Sequence, residues 1–132
     1  MNKILRTAIV VLSIPLLTLG LKTLLAPLSM AQIVGMEPSG LTGLNSLRSM
    51  FPGVLMGSAF MMLAGLRTKD TTWFRAAALL MGVVAFGRVL SFALDGFDAA
   101  SVQPTVIELV ILLVLVAADM RFTGERPAES TG

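Results

Sequence analysis

Long apolar runs separated by short polar segments dominate the hydrophobic pattern of this chain. Each of four runs is long enough to supply the roughly 20 residues with which a helix crosses a ~30 Å hydrocarbon layer. The pattern therefore predicts an all-α integral membrane four-helix bundle, in which residues 1–132 form a single membrane domain and residues 121–132 a polar, disordered tail. The predicted helices span about residues 4–25, 49–66, 73–94 and 104–120.

Prolines and a long connection refine this prediction. Pro52 and Pro104 fall in the first turns of the second and fourth helices, where the missing backbone N–H costs no hydrogen bond. Pro15 lies inside the first helix and should bend it, which neighbouring helices tolerate in a membrane. Residues 26–47 are half apolar and rich in Gly, Ser and Pro, so we expect a short interfacial helix followed by an irregular loop.

The basic residues near the helix ends favour one orientation in the membrane. Only Lys22 and Arg48 lie on the side opposite the termini, which also carries Glu37, Asp95 and Asp98. Because cytoplasmic loops carry the excess of Lys and Arg, we expect both termini in the cytoplasm. The basic residues on the side of the termini are Lys3, Arg6, Arg67, Lys69, Arg75, Arg121 and Arg126.

The first six residues, MNKILR, also resemble the charged start of a signal peptide. The apolar run that follows them is longer than the core of a typical signal peptide. We therefore expect this segment to be a retained transmembrane helix.

The composition narrows the class of function. Hydrophobic residues make up 55% of the chain and charged residues 14%, against about 25% charged in soluble domains, so lipid is the expected solvent. A net charge of +2, without a basic stripe, argues against a nucleic-acid partner. The chain has no Cys, His or Tyr, which removes the commonest general base and metal ligands. We expect no enzymatic activity, no metal and no cofactor.

Arg88 and Glu108 are the candidate functional residues inside the predicted spans. Arg88 lies about six residues, or ~9 Å, from the outer end of the third helix, and Glu108 about four residues, or ~6 Å, inside the fourth. A short connection should make these helices antiparallel neighbours, so the two charges can neutralise each other. Asp95 follows Arg88 on the same helical face, and Asn45 and Arg48 stand at the predicted start of the second helix. We expect these five residues to converge near the outer surface.

This polar cluster has a structural and a functional interpretation. The structural one is an ion-pair network that fixes helix packing. The functional one is a pocket for a membrane lipid or small amphiphile, or a role as accessory subunit of a larger membrane complex. The alternative is a dimeric proton- or ion-coupled small transporter whose coupling carboxylate is Glu108. Asp119, nearly on the face of Glu108, is expected to be a hydrated helix end.

Gly53 and Gly57 form a GxxxG step in the second predicted helix. Such steps let two helix backbones approach closely, most often within one bundle and alternatively in a homo-oligomer. We therefore expect Leu at Gly57 to disturb folding or assembly more than Leu at Ala59.

Several of these residues also carry a resemblance to a known family. The segments LRSMFPGVLMG and GRVLSFALDG, with a Glu one turn into the last helix, resemble the bacterial family called domain of unknown function 4345. The resemblance covers nearly the whole chain and implies a four-helix inner-membrane protein, with no activity attached. The chain departs from the family at Phe51-Pro52, where members tend to have an aromatic followed by small residues. The specific positions are Asn45, Arg48, Gly53, Gly87, Arg88, Asp95, Gly96 and Glu108.

Overall fold

The structure of the protein is a computed structural model that describes residues 2–97 and 99–124. Four of its helices are long and apolar enough to cross a membrane, and a fifth, short helix lies between the first two of them. The predicted all-α four-helix membrane fold is confirmed. The helices are α1 (Lys3–Leu25), α2 (Pro27–Ile33), α3 (Gly40–Thr68), α4 (Thr71–Leu94) and α5 (Val102–Gly124), with a 3₁₀ turn at Ala99–Ser101 before α5.

Two helix boundaries differ from the prediction. Helix α3 begins nine residues earlier than residue 49, because its first turns are polar and an apolar-run criterion does not register them. Arg48 is therefore the ninth residue of α3 and does not begin it, and Pro52 lies mid-helix and not in the first turn. Helix α5 continues to Gly124, so the predicted tail does not start at Arg121, and residues 125–132 lie outside the described part. Pro104 does lie in the first turn of α5, and α2 is a short helix within residues 26–47, where one was expected.

Helix α1 packs most extensively along α3, and α4 along α5, while α3 and α4 join the two pairs. The turn between α3 and α4 contains only Lys69 and Asp70. Lys69 ends α3 in the left-handed conformation, at φ 57°, and Asp70 caps α4 by accepting the N–H of Thr72 at 2.9 Å. We call the end of the bundle with this turn, the start of α1 and the end of α5 the terminal end, and the other the far end.

Near the terminal end, the hydrophobic core is built around Phe74. Its ring is fully buried and stacks on Phe122 of α5, with centroids 5.5 Å apart. Across from it, α3 presents Gly65, where an added Cβ would lie only 2.7 Å from the ring. The missing side chain at Gly65 is what allows α4 to seat an aromatic ring against α3.

Most of the surface of the bundle is apolar. Between 17% and 28% of each spanning segment is buried inside the structure, which leaves the remaining apolar positions facing outward. On α4, Leu79, Val83 and Phe86 are each more than 60% exposed, whereas Ala77 and Met81 point inward. An outward apolar face of this kind is stable in lipid and unfavourable in water, so the chain is a multi-pass membrane protein.

The glycines that allow close helix contact are not those of the GxxxG step. A Cβ added at Gly53 or Gly57 would meet no atom within 4 Å, so this step packs against nothing in the described chain. At Gly20 of α1 a Cβ would collide with the side chain of Met56. Ala59, in contrast, is completely buried. For folding we therefore expect the opposite ranking, since a Cβ at Gly57 meets no atom whereas Leu overpacks the core at Ala59.

Candidate functional site

Arg88 and Glu108 form an ion pair that joins α4 to α5 toward the far end. The Nε of Arg88 donates to both carboxylate oxygens of Glu108, at 2.9 and 2.8 Å. The side chains of Arg88 and Glu108 are 34% and 15% exposed, so both charged groups are partly buried. The contact expected from the antiparallel arrangement of the two helices is present, and it compensates two charges inside a membrane span.

The geometry of this pair leaves part of Arg88 unused. Both bonds come from Nε, and neither Nη atom has a hydrogen-bond partner among the described residues. A guanidinium has five N–H donors, four of them on the two Nη atoms. Arg88 can therefore hold Glu108 and still donate to an anionic or polar group beside the helix pair.

Asp95 does not join this ion pair. Helix α4 ends at Leu94 and Asp95 caps its C-terminus, with its backbone N–H donating to the carbonyl of Ser91 at 2.8 Å. The Asp95 carboxylate accepts the Ser91 hydroxyl at 2.9 Å and is otherwise exposed. Its role in the structure is therefore to close the last turn of α4. Asp98, which follows it, lies outside the described residues.

Asn45 and Arg48 line a separate hollow on the first turns of α3. The spacing of i, i+3, i+4 and i+7 places the lining residues on one helix face, around a volume of about 260 Å³. None of the residues from α4 or α5 that were expected to converge here lines it. The five residues expected to converge are thus separated: Asn45 and Arg48 line this hollow, Arg88 pairs with Glu108, and Asp95 caps α4. The hollow, called the α3 hollow below, is lined by Leu41, Leu44, Asn45 and Arg48.

Two features describe the surroundings of Arg48. No ion pair or side-chain hydrogen bond joins it to another described residue, and its side chain is exposed. Pro52, four residues later in α3, has no N–H to donate to the Arg48 carbonyl. The α3 hollow therefore contains a guanidinium that has no partner among the described residues.

The sequence interpretation missed a second ion pair. The Nε of Arg75 in α4 donates to Asp119 of α5 at 2.8 Å, with the two side chains 61% and 24% exposed. Asp119 is therefore a paired residue inside α5, which continues five residues beyond it to Gly124, and is not the hydrated helix end that was expected. The signal was available, since Arg75 precedes Arg88 by 13 residues and Asp119 follows Glu108 by 11, which is the register of one antiparallel pair.

Comparison with known proteins gives one match. The family model described as domain of unknown function (DUF4345) matches residues 4–118 of the chain. The match covers all of α1 to α4 except the first residue of α1, and most of α5. No curated protein and no solved structure matches the chain.

Proposed function

The chain belongs to the DUF4345 family, and from that premise we propose that it is a non-enzymatic membrane protein that binds an amphiphile at the α3 hollow. The occupant has an anionic or strongly polar headgroup and an apolar body. The observation that carries the proposal is the state of Arg48: a charged guanidinium, without a partner among the described residues, lines a hollow beside two leucines.

The lining of the α3 hollow supports an amphiphile over a simple ion. Leu41 and Leu44 offer apolar surface, whereas Asn45 and Arg48 offer an amide and a cation on the same helix face. The guanidinium fork suits phosphate and carboxylate oxygens, with which it makes paired hydrogen bonds. The amide of Asn45 can donate to an ester or hydroxyl group next to that anion.

In this proposal the Arg88–Glu108 pair fixes α4 against α5. The transporter alternative requires Glu108 to leave Arg88 during each cycle. Both Glu108 oxygens are held by Nε at 2.9 and 2.8 Å, which supports a fixed pair over a carboxylate that changes partners. A partner subunit packed on α3 is the other possible occupant of the α3 hollow, and the binding experiment must distinguish it from a lipid.

The proposed setting is the bacterial inner membrane, with both termini in the cytoplasm. It rests on the charge bias of the terminal end. Because the chain has no Cys, a single introduced Cys is a unique label. Cys at Thr68 should resist an impermeant thiol reagent in intact cells, and Cys at the exposed Ala99 should react. Reaction at Thr68 and protection at Ala99 would reverse the orientation.

The binding proposal is tested by mass spectrometry of the protein released intact from detergent micelles. Arg48→Gln should lose a co-purifying lipid-sized adduct by at least about tenfold, the effect of roughly 1.4 kcal/mol. Lys22→Gln is the matched control, because it removes an exposed cation at the same end, outside the hollow. Equal loss of the lipid adduct in both variants would mean that the lipid is held by general charge attraction and not by a specific site at Arg48. If the adduct that depends on Arg48 has the mass of a protein, the occupant of the α3 hollow is a partner subunit and not a lipid.

A further inference from the structure

A second hollow lies at the terminal end of the bundle, between α1 and α3. Its volume is about 430 Å³. Arg6 enters it from the first turns of α1, and Arg67 and Lys69 from the last turn and cap of α3. Three apolar residues, one turn or less farther into the bundle, complete the lining. We call this hollow the basic groove, and its lining residues are Arg6, Val10, Leu63, Leu66, Arg67 and Lys69.

The residues that line the basic groove carry a net positive charge. None of its three cations forms an ion pair with another described residue. No carboxylate lines it; Asp70, the residue after Lys69, keeps its negative charge and caps α4 by accepting the N–H of Thr72. Three positive charges held around one hollow repel one another, and a bound anion would remove that repulsion.

The polar and apolar parts of the groove are ordered along the bundle. The three cations stand at the helix ends, where headgroups lie, and Val10, Leu63 and Leu66 continue inward along the span. Val10 is 40% exposed, so the inner part of the groove is open toward lipid. This order matches a phospholipid in a bilayer, with its phosphate at the surface and its chains toward the middle.

We propose that the basic groove is a binding site for one anionic phospholipid. Arg6, Arg67 and Lys69 hold the phosphate, and an acyl chain lies along Val10, Leu63 and Leu66. Basic pockets between transmembrane helices are known to recognise anionic headgroups in this way. The inference is independent of the α3 hollow, which lies at the opposite end of the bundle and has a different lining.

The test compares two charge-matched double variants in micelles that contain phosphatidylglycerol. The groove variant is Arg6→Gln with Arg67→Gln, and the control is Lys3→Gln with Arg121→Gln, which removes two exposed cations from the same end outside the groove. Native mass spectrometry should show at least about a tenfold loss of bound phosphatidylglycerol in the groove variant and less than twofold in the control. Equal loss in both would overturn the proposal, since the attraction would then be that of any basic surface.

Two further measurements identify what is bound. Val10→Phe fills the apolar part without changing any charge, and it should weaken phosphatidylglycerol binding severalfold while melting stays within a few degrees. Unchanged lipid binding in this variant would contradict the placement of the acyl chain. Free glycerol phosphate, offered at the same concentration, should not compete, and full competition would make the groove a phosphate site instead of a lipid site. Equal binding of phosphatidylcholine would show that charge does not select the lipid.

Discussion

The two helix pairs of this protein differ in whether their basic residues are paired with carboxylates. Between α4 and α5, two arginines are each held by a carboxylate, Arg75 by Asp119 and Arg88 by Glu108. Along α1 and α3, none of the basic residues forms an ion pair with a described residue. That pair is held instead by close apolar packing, as where Gly20 meets Met56.

The difference separates charges that hold the fold from charges that are available to a ligand. A charge in a membrane span costs free energy, and an ion pair lowers that cost with a partner from the same chain. An unpaired one needs an acceptor from outside, either a lipid headgroup or water at the interface. Both proposed binding sites fall on α1 and α3, and neither falls between α4 and α5.

The largest loss of stability is expected when the Arg88–Glu108 ion pair between α4 and α5 is broken. Glu108→Gln should destabilise the protein by about 2.5 to 3.5 kcal/mol, the cost of an uncompensated Arg in a span. Arg88→Gln should do similar harm. The double variant should be less harmful than the sum, with a coupling of about 0.5 to 3 kcal/mol in a cycle of thermal unfolding in detergent. Additive effects would mean that the two residues do not act as partners.

A smaller effect is expected for the apolar packing of α3. Ala59→Leu adds volume to a closed core and should cost about 1 to 3 kcal/mol of unfolding free energy in detergent. Gly57→Leu, in open space two residues away, serves as the control and should change monomer stability little. If Gly57→Leu instead shifts the protein from dimer to monomer on size-exclusion chromatography, the GxxxG step is an interface between copies of the chain.

The smallest loss of stability is expected for the exposed Arg75–Asp119 pair, which can be compared with the Arg88–Glu108 pair between the same helices. Arg75→Gln should cost less than about 1 kcal/mol in the same thermal unfolding, because the Arg75 side chain is 61% exposed and solvent screens the lost interaction with Asp119. Lys3→Gln, which removes an exposed and unpaired cation near the same end, is the control. A loss as large as that of Arg88→Gln would mean that depth in the membrane does not decide the strength of these pairs.

The sequence was informative where a feature is periodic and local. Run length predicted the four spans, and the antiparallel hairpin predicted the Arg88–Glu108 contact. The start of α3 was missed because polar first turns form a helix as well as apolar ones do, so hydropathy marks the membrane and not the helix. Phe74 against Gly65, and the grouping of Arg6 with Arg67, depend on how distant helices meet, which no local pattern encodes.

The length of α3 relates the protein to the thickness of its membrane. At 29 residues α3 is about 43 Å long, against about 36 Å for the 24 residues of α4, while the hydrocarbon layer is ~30 Å thick. Because the first turns of α3 are polar, part of this extra length extends beyond the hydrocarbon layer, and tilting or kinking accommodates an apolar remainder. Pro52, which interrupts the hydrogen bonds of α3 near its middle, is the natural point of flexure. We therefore expect bilayer thickness to set how deeply Asn45 and Arg48, and with them the α3 hollow, are immersed.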